Sequence, residues 1–191
     1  MIVLEGPWKE GYAFDFHSKS SKYLGEDESG KPRFQTERTP MGEAVYRLKY
    51  WQEISQIKTI ISLLTSNTNF CTLMANVDEI LIVPPSNIGR MLQPVVCVAK
   101  EIADFFRKPL NTQALLTSNR EQIKNLDEHE REMVMKHAAI INPRTLDTGK
   151  SYIILDDVYD TGSTLKAYSS QLQNYSINNI FVFTLTKVRS R

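Results

Sequence analysis

Tyr152-Ile153-Ile154-Leu155-Asp156-Asp157-Val158-Tyr159-Asp160-Thr161-Gly162-Ser163-Thr164-Leu165 is the stretch from which the fold is read. The apolar run Tyr152 to Leu155 predicts a strand buried on both faces, the kind found inside a parallel sheet. Two carboxylates, Asp156 and Asp157, end that run, and a turn of small residues then opens a helix predicted over 164–172. Such a corner is an anion site, because the first backbone N–H groups of the helix lack partners and the helix dipole points its positive end at the loop. Gly162 lets the backbone approach a ligand closely, and Thr161, Ser163 and Thr164 add hydroxyl donors. A monophosphate fits the cradle, with Asp156 and Asp157 placed to accept hydrogen bonds from neighbouring sugar hydroxyls. Ligands of open α/β sheets collect at this carboxyl edge. The plain alternative is a strand–loop–helix corner with Asp160 as a helix cap. It leaves two adjacent acids at a strand end with no evident basic partner.

Working outward, the pattern alternates strand and helix. Glu79-Ile80-Leu81-Ile82-Val83 is a short apolar run stopped by Pro84-Pro85, which predicts a second buried strand. Further strands are predicted at 114–116, 137–141 and 179–186. Apolar residues three or four apart predict a helix over 42–64, started by Thr39-Pro40, and another over 88–106. Alternation of this kind predicts an α/β fold, a mainly parallel sheet flanked by helices. The first 40 residues differ. Tyr12, Phe14 and Phe16 at period two predict a short hairpin strand, and 18–39, rich in Ser, Gly, Lys and Glu, reads as a long polar loop or arm. The expected organisation is therefore an N-terminal hairpin and arm over 1–40, a small hood, and a core over 41–191.

Composition narrows the classes. The chain has 191 residues, and 23 Lys+Arg against 22 Asp+Glu give a net charge of +1. That length suits one domain, and a hydrophobic share of 41% excludes a disordered chain. Balanced charge gives no global basic footprint, so nucleic acid is not an expected partner. No apolar run approaches the about 18 residues of a membrane span, so a cytoplasmic location without membrane attachment is expected. Cys71 and Cys97 have neither zinc-site nor disulfide spacing, and His129 and His137 lack a third ligand. Asp147-Thr148-Gly149-Lys150-Ser151 ends like a phosphate-binding P-loop, but Arg144 stands where the first glycine is needed and a strand follows instead of a helix, so it reads as a turn.

The segment 152–164 resembles the phosphoribosyl-diphosphate (PRPP) binding motif of type I phosphoribosyltransferases: apolar residues, two acids, two more residues, an acid or Thr, then Thr-Gly-x-Thr. Three other stretches resemble the ComF-like branch in order. They are Arg38 to Tyr50, ending in Leu48-Lys49-Tyr50; Val83 to Arg90, where the pyrophosphate loop falls; and Gln122, Leu126, Glu130 and Arg131, in the flexible-loop region. The chain departs from that branch in lacking a four-cysteine zinc ribbon. It also carries Asp160 before Thr161, as purine phosphoribosyltransferases do.

The resemblance implies a type I phosphoribosyltransferase fold and transfer of phosphoribose from PRPP to a nitrogen nucleophile, a nucleobase or amine, with release of pyrophosphate. It implies that Asp156, Asp157, Asp160, Thr161, Gly162, Ser163 and Thr164 bind PRPP. Mg²⁺ is the implied cofactor, associated with Asp156 and Asp157 mostly through water and substrate. Ser86, Asn87, Ile88, Gly89 and Arg90 would receive the pyrophosphate, Asp160 would be the catalytic base, and 117–136 would form a lid. Lys187 falls where purine enzymes place a lysine against the base, and the acceptor pocket would be built by the hood, 8–39. A homodimer is compatible with this family. The alternatives carried forward are a PRPP-binding regulator without catalysis and a ComF-like DNA-uptake accessory protein, for which Lys187, Arg189 and Arg191 would supply a basic tail.

Overall fold

The computed structural model describes residues 1–85, 93–118, 134 and 138–189. Along the chain, β1 (Ile2–Val3), β2 (Glu10–Phe16), β3 (Ser18–Glu26) and β4 (Pro32–Arg38) precede α1 (Pro40–Tyr46). A wide turn, Arg47–Trp51, leads to α2 (Ser55–Thr65) and α3 (Thr68–Ala75). Next come β5 (Glu79–Ile82), α4 (Pro94–Phe106), β6 (Leu110–Asn111), β7 (Leu115–Thr117) and β8 (Ala139–Ile141). The chain then runs through β9 (Tyr152–Tyr159), α5 (Ser163–Asn174) and β10 (Ile180–Lys187).

Six strands form the central sheet in the order β1-β2-β10-β9-β5-β6. Every neighbouring pair is parallel except β1 with β2. The α/β class with a mainly parallel, helix-flanked sheet is thus the observed architecture. Both faces are covered, which explains why β10 and the first half of β9 are buried continuously rather than at alternate residues. One face packs against α1 to α4 through Phe70, Ile102, Leu155 and Phe183; the other packs against α5 and the β7–β8 pair through Tyr152, Ile154, Leu165 and Tyr168. In α4, Val95, Val98, Ala99, Ile102 and Ala103 are buried at three- and four-residue steps, as an amphipathic helix requires.

The N-terminal residues depart from expectation in two ways. The aromatic strand is real, but β2 lies beside β10 in the central sheet, with Phe183 opposite Tyr12, and β1 extends the same sheet. Residues 18–39 are not a loop: β3 and β4 form an antiparallel hairpin that stands off the sheet. Its turn is set by local chemistry. Asp27 Oδ1 accepts from the Ser29 hydroxyl and from the backbone N–H groups of Ser29 and Lys31, and Gly30 takes φ +76°. This is the three-residue hairpin connection that ends in a left-handed glycine. Polar composition hid it, because both faces of the hairpin are largely exposed.

The single helix predicted over 42–64 is two helices. Thr39 caps α1 by accepting from Gly42 N–H at 3.0 Å, with Pro40 at the first helical position, as predicted. The helix then widens at Arg47–Trp51 and is ended by Gln52 at φ +56°. Trp51 and Ile54, placed on the apolar face by periodicity, are 58% and 64% exposed. The helix α3, capped by Asn67 on the Phe70 N–H, has no counterpart among the sequence expectations. The strands predicted near 114–116 and 137–141 exist as β7 and β8, but they pair with each other antiparallel, outside the central sheet. The P-loop-like stretch is a turn: Asp147 Oδ1 accepts from Gly149 N–H, and Lys150 pairs with Glu79 at 2.9 Å. Among the described residues, no helix is long and apolar enough to cross a membrane.

Candidate functional site

The parallel strands β2, β10 and β9 end together, so Phe16, Lys187 and Tyr159 are neighbours at the carboxyl edge. The structure continues β9 through both acids to Tyr159, beyond the apolar run. Leu155 belongs to the core on the α4 side and Tyr159 to the core on the α5 side. A regular strand would put residues four apart on one face. The reversal therefore falls across Asp156-Asp157-Val158. It leaves Asp156 lining, with Leu155, a crevice between the sheet and α4 that also touches Val95, Val98, Phe183 and Leu185.

After Tyr159 the chain turns sharply into α5. Gly162 occupies the helix-cap position at φ +77° and offers no side-chain cap. A Cβ there would collide with the Tyr159 hydroxyl, so glycine is required by both backbone conformation and space. Thr161 Oγ1 lies 3.0 Å from Ser163 Oγ and accepts from the Ser163 N–H at 3.3 Å. Asp160 is exposed. Thus Thr161, Gly162, Ser163 and Thr164 share the turn that joins the end of β9, the strand carrying Asp156 and Asp157, to the start of α5. The alternative in which Asp160 caps the helix is not what is seen, because the cap position belongs to Gly162.

The structure also supplies a partner that local sequence could not show. Lys49 Nζ donates to Asp157 Oδ2 at 2.6 Å, and both side chains are largely shielded from solvent. The wide turn Arg47–Trp51 delivers this ammonium, and such local widening of a helix recurs at functional positions. Leu48 is buried and fixes the turn to the core, while Arg47 clasps Glu53 on the outer side. The expectation that the acid pair has no basic partner is therefore corrected for Asp157. The only sequence signal was the Leu48-Lys49-Tyr50 resemblance, which named no role for the lysine.

His17 joins the same cluster from the end of β2. Its Nδ1 lies 3.1 Å from Thr186 Oγ1, and that hydroxyl lies 3.4 Å from the Asp157 carbonyl oxygen. Burial, and then the charges of Arg38 and Lys49, push the His17 pKa below its ordinary value; Asp157 and Glu43 oppose this. These surroundings favour the neutral imidazole over the protonated one. Arg38 stacks 3.5 Å above the Tyr46 ring centroid, and Tyr50 and Trp51 extend that aromatic group at 5.0 and 5.8 Å from Tyr46. Lys187 lies with its Nζ 5.4 Å from the Tyr159 ring centroid.

The loop 86–90, with Ser86, Asn87, Ile88, Gly89 and Arg90, lies outside the described residues. So does nearly all of 117–136, together with His129 and His137. Among the described residues, no group of three or more His, Cys, Asp or Glu could hold a metal by itself. The Asp156–Asp157 pair suits an ion that keeps most of its shell as water and substrate oxygen, the habit of Mg²⁺.

No protein-family model matches the chain, and no curated protein matches it. Among solved structures, it is similar to the adenine phosphoribosyltransferase from Thermoanaerobacter pseudethanolicus. The two are 13% identical over 87% of this chain and 95% of that one, with a TM-score of 0.43. At that identity and score, the likeness carries no argument about what this chain does.

Proposed function

We propose that the chain is a phosphoribosyltransferase that binds PRPP and transfers its phosphoribose to a nitrogen nucleophile, releasing pyrophosphate. The observation that carries this is the corner after β9. An acidic strand end at the carboxyl edge of a parallel sheet runs through a left-handed glycine into a helix with no side-chain cap. A helix start of this kind attracts a phosphate group. The 5′-phosphate is received by the helix-start amides and by the hydroxyls of Thr161, Ser163 and Thr164. Asp156 and Asp157 accept the ribose hydroxyls and orient the sugar.

Mg²⁺, when bound, offsets pyrophosphate charge. The chain's own residues must hold the ribose still as its anomeric carbon becomes cationic, and nearby carboxylates favour that charge. Asp160, exposed at the loop, is the proposed base that takes a proton from the incoming nitrogen; a placed base contributes roughly 10²–10⁴-fold. Residues 86–90 are the proposed pyrophosphate loop and 117–136 the proposed lid. The hairpin β3–β4 is the hood on the acceptor side.

Titration calorimetry with PRPP in the presence of Mg²⁺ tests this. Saturable binding is expected for the natural chain and loss of binding for Asp156→Asn combined with Asp157→Asn, with unchanged circular dichroism. No heat at millimolar PRPP would reject the proposal.

A further inference from the structure

Lys49 is placed by the widened turn Arg47–Trp51, which Leu48 anchors in the core. An α-helical continuation of α1 would not need the widened turn Arg47–Trp51, the left-handed Gln52 or the Arg47–Glu53 clasp. Together these hold the Lys49 ammonium 2.6 Å from one oxygen of Asp157, in a position 24% exposed against 17% for its partner. A charge-assisted hydrogen bond with this little solvent contact is stronger than a surface ion pair. Lys49 Nζ therefore occupies one face of a carboxylate that the proposed ligand must also use.

We propose that Lys49 is a positioning residue for the PRPP site. Its ammonium fixes the Asp157 carboxylate in one rotamer and offsets its charge, so that an anionic sugar phosphate meets an acid pair with one net negative charge rather than two. This rests on the phosphoribosyltransferase reading and deepens it. Without Lys49, two adjacent carboxylates face an incoming polyanion, and Asp157 is no longer held. With Lys49 in place, Asp157 meets the ligand as half of an ion pair whose members lie 108 residues apart in sequence.

The experiment is a double-mutant cycle on PRPP binding, measured by calorimetry at saturating Mg²⁺ on the natural chain, Lys49→Met, Asp157→Asn and the double variant. Lys49→Met is expected to weaken binding about tenfold, the low end for losing a charge-assisted bond. The two substitutions are expected to be strongly non-additive. Lys49→Arg, which keeps the charge, is expected to recover most of the affinity, something a purely structural role for the methylene stem would not require. Thermal melts establish that each variant is folded. If the natural chain binds PRPP and Lys49→Met binds equally well, or the two effects simply add, the role given to Lys49 is wrong while the enzyme reading stands. If the natural chain binds no PRPP, the enzyme reading itself fails and the role of Lys49 with it.

Discussion

At the residue scale, the site is defined by side chains whose charges have been arranged against one another. Lys49 sits on Asp157, and His17 stands close enough to feel Lys49, Arg38, Asp157 and Glu43. Because burial and the two cations lower the His17 pKa below 6.5, the unfolded chain takes up a proton on this side chain before the folded one does. Stability is therefore expected to decline as pH falls below about 6.5, until the folded imidazole also titrates. Urea unfolding between pH 7.5 and pH 5 on the natural chain and His17→Gln checks this. The variant should show a flatter dependence across that window, and an unchanged slope would mean that other groups carry it. None of this is legible locally, since Arg38, Lys49, Glu43 and Asp157, the groups that act on His17, come from other parts of the chain.

At the element scale, the β9–α5 corner was the most legible part of the molecule. Its apolar run, its acids and its Thr161-Gly162-Ser163-Thr164 turn are contiguous, so short-range patterning is enough to place them. Gly162 supports a sharp expectation. Gly162→Ala forces a side chain into the left-handed region, costing roughly 1–2 kcal/mol, and also drives a methyl into the Tyr159 hydroxyl. Chemical denaturation should show at least that loss, and PRPP binding should weaken with it as the loop shifts. Elements whose identity depends on partners were less legible. The hairpin β3–β4 lacks an apolar face, so its alternation carries no hydrophobic signal. The break between α1 and α2 falls within an unbroken helical periodicity, and only Gln52 and the wide turn end it. Helix α3 is short, and its signal, Asn67 capping a Phe70–Leu73–Met74 face, is brief.

At the scale of the whole molecule, one sheet carries two cores, and its central strand β10 is buried on both faces. Phe183 is fully buried there, with its ring 4.6 Å from that of Phe70 on α3, so it ties the helical layer to the middle of the sheet. Phe183→Ala is expected to cost about 3–5 kcal/mol, the range for removing a large aromatic from a packed interior. An unfolding free energy, from denaturant titration, that falls by less than a third of that would mean the layer closes over the gap. The strand order, in which β10 separates β2 from β9, is what brings His17, Lys187 and the acid pair to one edge. By itself the sequence determined the α/β class, the strands β5, β9 and β10 with the helix α5, and the acid–glycine–helix corner, because each is written in neighbouring residues. The tertiary structure alone decided that β1 and β2 belong to the central sheet, that 18–39 pair as a hairpin, and that Lys49 neutralises Asp157. Those depend on contacts between distant parts of the chain, whose closing cost is met only when the sheet and both of its cores assemble together.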